Sequence, residues 1–250
     1  MIGIIGGSGF YSFLENPKVE KIQTPFGEIS IYLDQKDGKD ILFIPRHGSG
    51  HSILPSRINY RANIYAAHLK NVERIYATNA VGTSNQKINP GVIVILDQII
   101  DVTNGRDTSF FTGDDFSIIT RSGRKLSGVV HTDVSEPFDN NVRRDLLNAC
   151  KHYNQETVDG GTVAVFNGPR YETPAEVRAY TTLGARYFGM TSAPEAFLAK
   201  EIEIPYATLA VVTNYAAGLQ STVTHDEVDS LFKNRITDVK NILNYAIKNY

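Results

Sequence analysis

Five short stretches of this chain set hydroxyl, imidazole, guanidinium and carboxylate groups where apolar runs give way to loops or helices. "IIGGSGFY" (4–11) is a glycine-rich turn, so main-chain N–H groups and the Ser8 hydroxyl can meet an anion there. "PRHGSGH" (45–51) sets Arg46, a good bidentate partner for a phosphate-like anion, beside His47. "GMTSAPEAFLAKE" (189–201) reads as a capping box from Ser192 to Glu195, which places Thr191 at a helix N-terminus where the dipole favours an anion. Met190 beside it offers a soft apolar contact. "GPRYETPAEV" (168–177) has its own helix start in Thr173, Pro174 and Glu176, and this leaves Tyr171 and Glu172 unexplained by capping. "VVTNYAAG" (211–218) ends a long apolar run on Asn214, which is either a turn former or a ligand contact.

Other chemistries fit these residues less well. A dinucleotide-binding turn starting at Gly7 would need a third glycine where Ser12 stands, and no acidic residue closes a following strand at the required distance. His47 and His51 have a spacing that can bind metal on a helix, but Gly48 and Gly50 argue against a helix and no Glu follows the first His. No metal is expected. Cys150, the single cysteine, sits in the helical pattern "DLLNACKHY" and reads as a core thiol.

The elements that must position these groups follow from the apolar patterning. Short β-branched runs at 2–5, 28–34, 41–45, 74–81, 92–100, 162–168, 187–190 and 206–215 read as strands, several of them apolar on both faces. Helical periodicity covers roughly 56–70, 139–153, 174–183, 193–202 and 225–248. The expectation is an α/β fold, a single domain over 1–250 with a central mixed β-sheet flanked by helices, and no linker or repeat divides it. A net charge of -2 with scattered basic residues argues against nucleic acid or an anionic membrane as the main partner. Any anion must therefore be held by a local site. No disulfide framework or basic leader is present, which suits a cytoplasmic protein.

Together, "IIGGSGFY", "PRHGSGH", "NYRANI", "GPRYETPAE", "GMTSAPEAFLAKE" and "TNYAAG...THDEV" resemble, in order and approximate spacing, the trimeric purine nucleoside phosphorylases and methylthioadenosine phosphorylases. The resemblance covers nearly the whole chain. It implies phosphorolysis, in which inorganic phosphate as co-substrate attacks the anomeric carbon of a purine nucleoside, with no cofactor and no metal. It implies a phosphate site of Ser8, Arg46, His47, Thr191 and the turn at Asn79 and Ala80, where Asn79 stands in place of the Thr or Ser of many relatives. It also implies a nucleoside site of Tyr171, Glu172, Met190, Asn214, Tyr215, Ala216 and His225. His131, in "HTDVSEPF", resembles a residue that reaches across a subunit boundary, so His131 and Phe138 are expected to border a neighbour's pocket in a homo-oligomer, a trimer or a hexamer.

The base is read from its edge. Hypoxanthine and guanine offer N1–H as donor with O6 and N7 as acceptors, which suits the carboxylate of Glu172 and the amide N–H of Asn214 as catalytic partners. Adenine reverses the first two groups, and relatives that act on it resemble "TDYD" where this chain has "TNYA". The favoured substrates are 6-oxopurine nucleosides such as inosine, guanosine or 5'-methylthioinosine, and S-methyl-5'-thioadenosine phosphorolysis is the alternative. A non-catalytic nucleotide-binding regulator would keep the base site without needing so many separate phosphate contacts.

Overall fold

The computed structural model describes residues 1–250 except Ser8, Gly9, Tyr11, Ser12, Ser49, His51 and Asp114. The anion-loop expectation for Ser8 and the metal alternative through His51 fall outside the described residues.

The strands are β1 (Ile2–Gly6), β2 (Lys18–Thr24), β3 (Gly27–Lys36), β4 (Lys39–Pro45), β5 (Arg74–Thr83), β6 (Ile93–Ile95), β7 (Gln98–Asp101), β8 (Ser117–Ile119), β9 (Lys125–Ser127), β10 (Thr157–Asp159), β11 (Thr162–Val165), β12 (Ala185–Gly189) and β13 (Tyr206–Tyr215). The helices are α1 (Tyr60–Leu69), α2 (Asn140–His152), α3 (Pro174–Thr182), α4 (Ser192–Glu201) and α5 (His225–Asn249). The large mixed sheet runs β10-β6-β13-β5-β1-β4-β3-β2, while β8 and β9 form a separate hairpin. β12 branches off antiparallel to the far end of β5 and leads through β11 to β7. β4, β1, β5 and β13 are mutually parallel, so their C-terminal ends open on one side of the sheet. That is where ligands bind in open α/β sheets.

Helices cover both faces, as the apolar runs require. α1 and α4 pack over one face with Ile64, Ala67, Ala196 and Leu198 in its core, and α2 and α5 cover the other with Leu146, Phe232, Val239, Ile242 and Leu243. The stripe on α5 explains why the longest helix is legible as one piece. Cys150 is buried on α2, where burial pushes its thiol up.

The structure corrects two boundaries and adds four strands. The run 92–100 is two strands, because the chain changes partners at Leu96–Asp97: β6 pairs with β10 and β13, whereas β7 pairs with β11. Asp97 fastens the crossing by accepting the Gly161 N–H at 2.8 Å. α1 begins at Tyr60, where Asn59 caps it through Ala62 N–H at 3.0 Å, and Pro55–Arg57 forms a separate 3-10 turn. β2, β8, β9 and β10 escape the apolar-run criterion since they are short or at an edge; β2 buries only Ile22 and Thr24.

Candidate active site

A cavity of about 380 Å³ lies at the C-terminal ends of the parallel strands. Its floor comes from Gly7 after β1, Arg46 and His47 after β4, Asn79 to Gly82 within β5, and Thr213 and Asn214 near the end of β13. The segment before α3 adds Tyr171 and Glu172, the β12–α4 junction adds Phe188 to Thr191, and α5 adds His225 and Val228.

At one end is Arg46, buried and with three of its five N–H groups engaged by protein. Its Nε and Nη2 donate to the carboxylate of Glu195, the latter at 2.8 Å, and Nη1 donates to the Thr78 carbonyl at 2.7 Å. Burial opposes the charge on Arg46, yet Glu195 outweighs it and raises the guanidinium above its ordinary range. Glu195 therefore does not close the expected capping box. Thr191 is the N-cap residue of α4 and makes no side-chain cap bond, so the N-terminal dipole of α4 meets the cavity wall beside Thr191. Ser192 instead accepts the Asn79 amide at 2.6 Å. His47 is tied to the opposite loop, with Nδ1 at 2.8 Å from the Ile53 carbonyl, so that it donates there.

The other end presents Glu172 and Asn214. Glu172 is buried, and its Oε1 has no hydrogen-bond partner among the described residues. Burial is the main reason that its carboxyl is pushed up from 4.5 to about 7. Facing this end is a β-bulge: Val212 pairs with Val81 and Asn214 with Gly82, so Thr213 is the extra residue that turns the strand end. Thr213 Oγ1 donates to Asn214 Oδ1 at 2.9 Å, and Asn214 Nδ2 donates to the Tyr215 carbonyl at 2.9 Å. One amide hydrogen of Asn214 is left for the cavity.

The cavity thus joins a corner lined by Arg46, His47 and Thr191 to a slot with one acceptor and one donor on aromatic and apolar walls. The whole chain bears on what such a cavity serves, because a model of the phosphorylase superfamily matches residues 1–248. The chain belongs to that superfamily. It is 44% identical over 98% of its length to the 6-oxopurine nucleoside phosphorylase of Pyrococcus furiosus, covering 91% of that protein. It is 39% identical over 99% of its length to a probable S-methyl-5'-thioinosine phosphorylase of Methanothermobacter thermautotrophicus, covering 84% of it. A mutant adenosine/methylthioadenosine phosphorylase of Schistosoma mansoni, solved with methylthioadenosine, superposes with a TM-score of 0.89 at 31% identity, covering 98% of this chain and 90% of that one.

Most of the residues singled out by sequence converge in this superfamily chain. Arg46, His47, Asn79, Ala80, Thr191, Tyr171, Glu172, Met190, Asn214 and His225 all line the cavity. Tyr215 and Ala216 do not. Tyr215 turns its hydroxyl to Asn89 at 3.0 Å and serves the site through its carbonyl, and Ala216 is buried in the cluster behind Gly82. His131 is exposed, away from this chain's cavity, and Phe138 is buried at 1% exposure against Tyr206. Phe138 therefore packs in its own core.

Sequence reasoning missed Phe188, Val228 and the Ile53–Pro55 wall, which belong to ordinary apolar patterns and carry no separate signal. It also missed Arg106, which binds the carbonyls of Met190 at 2.5 Å and Asn167 at 2.6 Å and so ties two cavity walls together. The stretch "GPRYETPAEV" hides a further device at Gly168, where φ is +61° and an added Cβ would stand 2.5 Å from Met190 Sδ. Gly168→Ala is expected to cost about 1–3 kcal/mol, read as a lower urea midpoint with unchanged m-value. An unchanged midpoint refutes this reading of Gly168.

Proposed function

We propose that this protein is a purine nucleoside phosphorylase acting on 6-oxopurine nucleosides. The observation that carries the reading is the pair facing the slot: an unpartnered, buried carboxylate oxygen on Glu172 and an N–H on Asn214. A purine with N1–H, O6 and N7 matches both, whereas adenine turns a lone pair toward Glu172. Tyr171 and Phe188 supply half-buried and buried aromatic walls for the base.

Phosphate sits at the other end, held by Arg46, His47, Thr191, the Asn79–Ala80 backbone and the α4 N-terminus. A phosphate oxygen bonds to the anomeric carbon as the C–N bond breaks, and that electron pair leaves on the purine. Positive charge grows on the ribose and negative charge on the base. Asn214 donates to N7 as this charge develops, and the bound anion stabilises the ribosyl cation, which is the differential stabilisation that lowers a barrier. The 5' end meets one imidazole, His225, and apolar groups from Val228, Ile53 and Pro55, a wall compatible with a 5'-hydroxyl or a 5'-methylthio group.

A cytoplasmic homo-oligomer, a trimer or a hexamer, completes the proposal. The exposed stretch around His131, with Val129 82% and Val134 38% exposed, supports contact with a second copy. No helix among the described residues is long and apolar enough to cross a membrane. The test is a cleavage panel of inosine, guanosine, methylthioinosine, adenosine and methylthioadenosine, with and without phosphate. Purine release is expected only with phosphate and to favour the first three. Preference for methylthioadenosine replaces this reading with methylthioadenosine phosphorolysis, and release without phosphate rejects phosphorolysis.

A further inference from the structure

Arg46 does not meet the cavity as a lone cation. Its partner Glu195 is 0% exposed and Arg46 itself 1%, so the two formal charges cancel within the protein before any ligand arrives. The carboxylate is held from a further side: Tyr206 donates its hydroxyl to Glu195 Oε2 at 2.9 Å, and Thr208 Oγ1 donates to that hydroxyl at 3.1 Å. Burial, then the Glu195 charge, keeps the Tyr206 phenol protonated. Groups from β5 and α4 thus hold the guanidinium that follows β4, and β13 steadies the carboxylate through Tyr206.

Stability alone is a poor account of this arrangement, because a buried ion pair is commonly matched by apolar residues of the same volume. Orientation is the better account. A guanidinium has five N–H groups in a rigid plane. Two go to Glu195 and one to the Thr78 carbonyl, which leaves one on Nη1 and one on Nη2 at the wall that Arg46 lines. The carboxylate fixes the plane in which those two lie.

We infer that Glu195, steadied by Tyr206, is a positioning residue for phosphate, aiming two Arg46 N–H groups at it while cancelling the net charge of Arg46. This rests on the phosphorolytic reading above. Phosphate is then bound by directed hydrogen bonds and the α4 N-terminus, and the corner does not become an electrostatic trap for the anionic sugar phosphate formed there.

Arg46→Ala is a poor test, since it strands a buried carboxylate. Tyr206→Phe and Glu195→Gln keep the shape. Tyr206→Phe is expected to raise the phosphate KM about 3- to 10-fold and Glu195→Gln about 10- to 30-fold, with the nucleoside KM changed by less than about twofold. Glu195→Asp, which keeps the charge on a shorter arm, is expected to fall between Gln and the natural residue. A purely structural role would lower the melting temperature and the active fraction and leave the phosphate KM alone. Phosphate KM within about twofold of the unmodified protein in both folded variants, or equal rises for both substrates, overturns the inference. If Glu195→Gln does not fold, Tyr206→Phe decides.

A second measurement separates this from the proposed activity: the rise in melting temperature on adding inorganic phosphate alone. The unmodified protein is expected to be stabilised and the variants less so. Stabilisation without nucleoside cleavage refutes the activity and leaves Glu195 to be judged by its variants. No stabilisation of the unmodified protein by phosphate overturns the inference.

Discussion

Glu172→Gln is expected to lower kcat/KM for inosine about 5- to 30-fold, the difference of about 1–2 kcal/mol between a charge-assisted hydrogen bond and a neutral one. The variant keeps the shape of the side chain, so the loss isolates the charge. Burial holds the Glu172 carboxyl at about 7, which makes the ligand-free site half protonated near neutrality. Only the ionised form accepts N1–H in a charge-assisted bond; the neutral acid accepts it more weakly. kcat/KM, which reports the free enzyme, should therefore rise with pH below about 7 and level off above it. Glu172→Gln should flatten that limb. An unaltered pH profile in the variant would mean that another group sets it.

The same group makes a stability prediction of opposite sign. A carboxyl raised from 4.5 to about 7 by folding binds its proton more tightly when folded, so it costs nothing below about 4.5. The cost grows as pH rises and is complete above about 7, where it reaches about 3 kcal/mol. Ligand-free Glu172→Gln should thus be more stable than the unmodified protein at pH 8 and equal to it near pH 4.5, as urea unfolding at the two values can measure. A site that destabilises the empty fold and is relieved when a donor binds is what base recognition requires.

What was legible in the sequence is what local chemistry signals locally. The capping box of α3 is present as read: Thr173 Oγ1 accepts from Glu176 N–H at 3.2 Å, and Glu176 accepts from Thr173 N–H at 2.7 Å. Arg170 pairs with Glu176, so only Tyr171 and Glu172 remain for the cavity. The pattern Ser192 to Glu195 has the same spacing and a different outcome. Glu195 is next to a buried guanidinium 149 residues away in sequence, and satisfying that charge outweighs closing one cap. Arg106 was illegible for a related reason, since its partners are mostly carbonyls, which carry no side-chain signature. The bulge at Thr213 was hidden because an extra residue in an apolar run does not alter its composition.

Asn214→Asp is expected to cost inosine cleavage about 2–4 kcal/mol, a 30- to 1000-fold loss in kcat/KM, without giving efficient adenosine cleavage in exchange. Asn214 now spends one amide hydrogen on the Tyr215 carbonyl at 2.9 Å and offers the other to N7, while its oxygen takes the Thr213 hydroxyl. Aspartate in this buried position would set a carboxylate oxygen against the Tyr215 carbonyl, so it is held protonated. A carboxylic acid has one hydrogen where the amide has two. Either Tyr215 or the purine loses its bond, and O6 of inosine faces an oxygen in place of a nitrogen. The N6 amino group of adenine can donate to that oxygen, but Glu172 still confronts the N1 lone pair. Asn214→Asp with Glu172→Ser should therefore be needed before adenosine and methylthioadenosine gain in kcat/KM, and the gain should exceed the product of the two single effects. Gain from Asn214→Asp alone, with Glu172 in place, would show that Glu172 does not read N1.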